Sequence, residues 1–177
     1  MKKKLISLLF YSLFWLILFY FARLYFILVH HREASEFGFR LMAGTFTHGI
    51  RLDISATAYV LAIPFLATLV SIWVRGEWYR HFMRIYTWII ILLSLAIVVG
   101  DAELYSYWGY RMDHTPLLYL KTPQEAAASV STGKIIYVFS AVILLTVISG
   151  LIYNRLHGKS FSDSGPVRPR IPARILM

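Results

Sequence analysis

The sequence predicts an all-α polytopic membrane protein, and three observations lead to this class. Of the 177 residues, 58% are hydrophobic and 15% are charged, whereas soluble domains carry about 25% charged residues. The apolar residues form four long runs, which a small soluble fold would have to bury on all sides. The formal net charge of +9 is unevenly distributed, as expected when basic residues mark cytoplasmic loops. It therefore indicates topology and not a nucleic-acid partner.

Each apolar run approaches the roughly 17–25 residues that cross a bilayer as a helix. The first run continues past Arg23, and the third is lengthened by Phe82 and Met83 if Arg84 reaches the surface. A helix is expected because an isolated span in lipid has to satisfy its own backbone hydrogen bonds. The predicted spans cover about residues 5–28, 54–74, 82–100 and 135–153.

The N-terminus is predicted to lie in the cytoplasm as an uncleaved signal anchor. Three lysines precede an apolar run that exceeds the roughly 7–15 residues of a signal-peptide core, and no small-residue cleavage site follows. In this orientation the inner side holds eleven Lys and Arg residues against two acidic ones, and the outer side holds six against seven. The positive-inside rule favours this topology over its reverse.

The remaining segments connect the spans. Residues 30–52 and 101–133 form the two outer connections, and the second is expected to lie on the membrane as short interfacial helices. Within it, Thr122, Pro123 and Glu125 match a helix N-cap, first turn and capping box. Residues 1–157 are expected to form the helical anchor domain. Residues 158–177 are expected to be a basic, Pro-containing cytoplasmic linker that leads to the edge of a fifth span.

Six charged residues at the predicted outer ends of spans two and three are the candidate site. They could be ordinary interfacial charges, a polar network that joins two helix ends, or a contact with a lipid headgroup or substrate, because Arg matches phosphate geometry. Arg23, inside the first span, either extends to the surface or pairs with a carboxylate of another span. The six residues are Arg51, Asp53, Asp101, Glu103, Arg111 and Asp113.

Other chemistry has little support in the sequence. Asp101 and Glu103 are two positions apart on a helix and should point in nearly opposite directions, which disfavours a general acid/base pair. There is no cysteine, and no two histidines have the i, i+4 spacing of a zinc-binding helix. We therefore assign no catalytic, cofactor-binding or metal-binding residue to this chain.

Three segments resemble the N-terminal membrane region of the lipoteichoic acid synthase-like family, bacterial membrane phosphotransferases and sulfatase-like proteins of the alkaline phosphatase superfamily. They are Gly49–Tyr59, Gly100–Arg111 and Leu120–Glu125. The resemblance implies five spans in the bacterial cytoplasmic membrane, followed by an extracytoplasmic catalytic domain with a threonine nucleophile and a manganese or magnesium ion. No residue here matches that catalytic motif.

On this reading the chain is the anchor and positioning domain of a phosphoglycerol- or phosphoethanolamine-type transferase or sulfatase-like hydrolase. Its partners would be membrane lipids and its own catalytic domain. The alternative is a complete four-span protein that acts as an assembly partner or a transporter subunit. The central parts of spans two to four hold few polar residues, which weakens the transporter version.

Overall fold

The computed structural model describes residues 2–74, 78–113 and 130–157. Within these ranges the chain forms helices and no strand, so the predicted all-α class is confirmed. The helices are α1 (Lys2–Val29), α2 (His31–Ser35), α3 (Phe39–Trp73), α4 (Trp78–Trp108) and α5 (Thr132–His157). The expected helix start at Thr122, the linker 158–177 and the edge of a fifth span lie outside the described residues.

Four of these helices, α1, α3, α4 and α5, are long and apolar enough to cross a membrane. Two of them extend well beyond the predicted spans. The 35 residues of α3 measure about 52 Å at about 1.5 Å per residue, against a hydrocarbon core of about 30 Å. The helix begins at Phe39 and not near Ile54, so much of the expected 30–52 connection is helical. Polar residues such as Arg51 and Asp53 do not end the helix.

The third spanning helix, α4, continues past the predicted end at residue 100 to Trp108. Residues 101–108 were predicted to belong to the outer connection. Gly109 follows with a positive φ of 71°, a conformation that glycine adopts without a Cβ penalty and that commonly ends helices. The first eight residues of the predicted 101–133 connection therefore continue the spanning helix. The interfacial helices expected at 114–129 lie outside the described residues.

The long helices run antiparallel in chain order, and the closest pairs are α1 with α3 and α4 with α5. At one end, Lys4 Nζ donates to Ser71 Oγ at 2.9 Å. At the other, His30 on the α2 side of α1 contacts the carbonyl oxygen of Ala102 at 2.8 Å. We call the end near His30 the α2 end and the end near Lys4 the far end.

The far end and the centre contain a tightly packed aromatic core. Tyr11, Trp15, Met83 and Ile91 are fully buried, and the Tyr11 hydroxyl lies 3.0 Å from the Thr87 hydroxyl. Tyr153 of α5 meets the edge of Tyr11, with ring centroids 6.0 Å apart, a favourable aromatic arrangement. This core joins α1, α4 and α5.

Pro64 lies inside α3 and creates a local hydrogen-bonding requirement. Proline has no amide hydrogen, so the carbonyl four residues earlier, that of Val60, lacks its usual helical donor. The Tyr86 hydroxyl of α4 donates to this Val60 oxygen at 2.8 Å. A residue of the neighbouring helix thus satisfies a backbone group that lipid cannot.

Candidate functional site

A cavity of about 660 Å³ lies at the α2 end and is the main candidate site among the described residues. Side chains of α1, α3 and α4 form its walls, and α2 with the following turn contributes Glu33, Ala34 and Phe37. Its volume falls within the roughly 300–1,000 Å³ of small-molecule sites. Most of the lining is apolar. Of its charged residues, Arg23, Asp53, Asp101 and Arg111 belong to ion pairs, and Glu33 is exposed.

The first ion pair joins α1 to α3. Arg23 Nη2 lies 2.7 Å from Asp53 Oδ1, and both side chains are mostly buried. The other terminal nitrogen of Arg23 donates to the backbone oxygen of Thr45. Of the two alternatives for Arg23, the ion pair with another span is the one the structure contains.

Gly49 of α3 leaves room for the Arg23 guanidinium. A β-carbon at position 49 would occupy the space of the Arg23 guanidinium. The absence of a side chain therefore lets the guanidinium lie across the backbone of α3 and reach both Thr45 and Asp53. This requirement for glycine concerns space and not backbone conformation, because Gly49 is an ordinary helical residue.

The second ion pair lies between the end of α4 and the segment that follows it. Asp101 is 7% exposed and accepts a bond from Arg111 Nε at 2.7 Å. Its other oxygen accepts from the backbone N–H of Met112 at 2.7 Å. The Arg111 guanidinium also lies 4.3 Å from the centre of the Phe26 ring. Asp101 and Phe26 together hold this arginine in a fixed position at the cavity.

His30 is a site residue that sequence reasoning missed. Its ring is buried, its Nε2 contacts the Ala102 oxygen, and its centroid lies 4.7 Å from that of Tyr105. Phe26 completes this aromatic group, 5.2 Å from Tyr105. His30 has no second histidine at i, i+4, so metal-binding spacing does not mark it. A better signal was its position immediately after a span, where polar aromatic residues concentrate.

Glu103 belongs to a third ion pair outside the cavity. Its carboxylate lies 2.9 Å from Lys134 Nζ of α5, and the same ammonium lies 4.9 Å from the centre of the Tyr107 ring. Asp101 and Glu103 thus face different partners, in agreement with their two-residue spacing. This pair joins α4 to α5.

The six predicted residues therefore separate into different environments. Asp53, Asp101 and Arg111 line the cavity, and Glu103 pairs with Lys134. Arg51 is exposed, and Arg23, not Arg51, pairs with Asp53. Asp113 is also exposed and has interactions of its own. The ion pairs described above join α1 to α3, α4 to α5, and α4 to the segment that follows it. None of these three pairs joins spans two and three, as a network between those two helix ends, one of the three alternatives, would require.

This arrangement can orient a ligand, because Arg23 and Arg111 are each held in place by a carboxylate partner. Among the described residues, no group of three or more His, Asp or Glu side chains could hold a metal ion. Comparisons with protein-family models, curated proteins and solved structures found no match for this chain.

Proposed function

We propose that this helical unit anchors an extracytoplasmic phosphoglycerol- or phosphoethanolamine-type transferase, or a related sulfatase-like hydrolase, and positions it at the membrane surface. The catalytic domain and its metal ion are not among these residues. The observation that carries the proposal is the position of the charged cavity at one end of four membrane-length helices.

The family resemblance supports this choice over a general membrane protein. Two of the segments that carry the resemblance, 49–59 and 100–111, contribute to the same cavity, through Gly49, Leu52 and Asp53 on one side and Asp101, Tyr105 and Arg111 on the other. In sequence they are far apart. Their meeting at one site gives the motif residues a shared structural role at the membrane surface.

The proposal places the chain in the bacterial cytoplasmic membrane with its N-terminus inside and the α2 end outside. An enzyme attached there would face the outer leaflet, and attachment would raise its effective concentration toward lipid substrates. The distribution of basic residues supports this orientation.

Topology can be tested cleanly because the chain has no cysteine. We would introduce Ser35→Cys, an exposed position in α2, and separately Leu156→Cys, an exposed position near the end of α5. In intact cells a membrane-impermeant thiol reagent should label the first variant and spare the second until the cells are permeabilised. The reverse pattern would overturn the proposed orientation.

The positioning role needs an activity measurement. An extracytoplasmic transferase domain with measurable phospholipid turnover would be fused to this chain or to an unrelated four-span anchor, at matched expression levels. We expect faster turnover per enzyme molecule with this chain. Equal turnover with both anchors would contradict the positioning role, and would favour the alternative of an assembly partner.

A further inference from the structure

The cavity lies in a cleft between α3 and α4. Nearer the far end these helices are in contact, because Tyr79 of α4 lies 2.8 Å from the Thr68 hydroxyl of α3 and Tyr86 reaches the Val60 oxygen. Towards the α2 end each helix packs instead on α1, through Asp53 and Arg23 on one side and through Ala102 and His30 on the other. We call the resulting space the α3–α4 cleft.

The rim of the α3–α4 cleft is apolar and exposed. Leu52 on α3 is 72% exposed and Ile97 on α4 is 60% exposed. Both line the cavity and belong to helices long enough to span a membrane, so in a bilayer their exposed apolar surface is open to lipid. The cavity floor is buried, with His30 at 6% and Asp101 at 7%. The cleft thus offers a lateral path from the bilayer to a polar floor.

Arg111 is the more accessible of the two arginines that line the cleft. Its side chain is 66% exposed, whereas that of Arg23 is 19% exposed. Nε and Nη2 face Asp101, and a guanidinium carries five N–H donors. Asp101 and Phe26 fix its orientation, which lowers the entropy cost of binding. The 31 residues of α4 measure about 46 Å, which exceeds a hydrocarbon core of about 30 Å, so the helix is long enough to carry Arg111 to headgroup depth.

We propose that the α3–α4 cleft holds a resident glycerophospholipid as a structural ligand. Its phosphate contacts Arg111, and one acyl chain lies against Val98, Ile97 and Leu52. The combination of an apolar lateral rim with an oriented guanidinium at headgroup depth selects an amphiphilic phosphodiester over a soluble anion or a neutral lipid. Bound in this way, the lipid fills the space between α3 and α4. The inference requires these helices to lie in a membrane but does not depend on an attached enzyme.

The test compares two arginine substitutions that make the same change in charge. The full chain and its Arg111→Gln and Arg51→Gln variants would be purified in mild detergent, and the phospholipid that remains bound would be quantified by mass spectrometry. We expect roughly tenfold weaker retention in Arg111→Gln, the effect of losing one charge-assisted contact. Arg51→Gln should retain lipid like the parent, because Arg51 is exposed and outside the cleft. Equal retention in all three, or equal loss in both variants, would overturn the proposal.

A second experiment identifies the ligand and does not depend on the arginine variant. The melting temperature of delipidated chain would be measured with phosphatidylglycerol, with diacylglycerol and with inorganic phosphate, each in the same detergent. Only the phospholipid should raise the melting temperature. Val98→Phe places a larger side chain in the cleft, so it should abolish this increase while the circular-dichroism spectrum stays helical. An equal increase with diacylglycerol would overturn the phosphate contact. An equal increase with phosphate alone would overturn the lipid assignment.

Discussion

The two ends of the helical unit are built from different interactions. The far end and centre are packed by buried aromatic and aliphatic side chains around Tyr11 and Trp15, whereas the α2 end is held by ion pairs around a cavity. Packed apolar side chains need no specific partner for each atom, whereas a charged side chain in a membrane needs a partner of opposite charge. We therefore expect the far end to contribute most of the free energy of unfolding and the α2 end to recognise a ligand. Four substitutions test this division.

The largest effect is expected from Trp15→Ala, which would break the aromatic core. Trp15 is fully buried, and removal of a buried tryptophan typically costs about 3–5 kcal/mol because it leaves a cavity. The free energy of unfolding would be measured by denaturant titration in detergent micelles. Leu9→Ala is the control on the same helix, because Leu9 is 66% exposed and should have a much smaller effect. A cost for Trp15→Ala below that of the α2-end variants would contradict the division.

The next effect is expected at the contact between α3 and α4. Tyr86→Phe removes the hydroxyl that donates to the Val60 oxygen and should cost about 1–3 kcal/mol, because a part-buried carbonyl that has no helical donor loses its partner. The same unfolding titration measures this cost. Tyr59→Phe, at an 80% exposed position of α3, should cost little.

A double substitution makes this second prediction more specific. Pro64→Ala restores an amide at position 64, which can donate to the Val60 oxygen within the helix. Tyr86→Phe should then cost much less in the Pro64→Ala background than in the parent. An unchanged cost would show that Tyr86 stabilises the chain through packing and not through this hydrogen bond.

The sequence was sufficient to predict the helices but not their partners. The four spans follow from apolar run length, because a membrane leaves the backbone of an isolated segment no other way to satisfy its hydrogen bonds. The start of α3 at Phe39 was not evident from apolar run length, since polar residues interrupt the turns before Ile54, and these turns gain stability from contacts with α1. Prediction of the Arg23–Asp53 pair requires the relative register of two helices, which hydropathy does not contain. The Val60–Tyr86 bond likewise depends on which face of α4 meets Pro64.

The third prediction tests whether the Arg23 ion pair depends on Gly49. Gly49→Ala places a methyl group where the guanidinium lies, and such overpacking costs about 1–3 kcal/mol. Alanine recovers up to about 1 kcal/mol through its helix propensity, so we expect a moderate net loss in the unfolding titration. Gly44→Ala is the matched control on the same helix, because a β-carbon there meets only His48 at an ordinary 3.9 Å. Equal effects at both glycines would mean that Arg23 moves aside without cost.

The smallest effect is expected from Lys134→Gln at the edge of the α2 end. Lys134 Nζ pairs with Glu103 at 2.9 Å, but its side chain is 43% exposed, and such pairs contribute about 0–1 kcal/mol in water. The unfolding titration of Lys134→Gln, Glu103→Gln and the double variant would give their coupling energy, which we expect to lie below that of the buried Arg23–Asp53 pair measured in the same way. A larger coupling for the exposed pair would mean that α4 and α5 are held together at the α2 end by charge. The stronger ion pair of the α2 end would then lie outside the cavity, which would contradict the description of that end as held by ion pairs around the cavity.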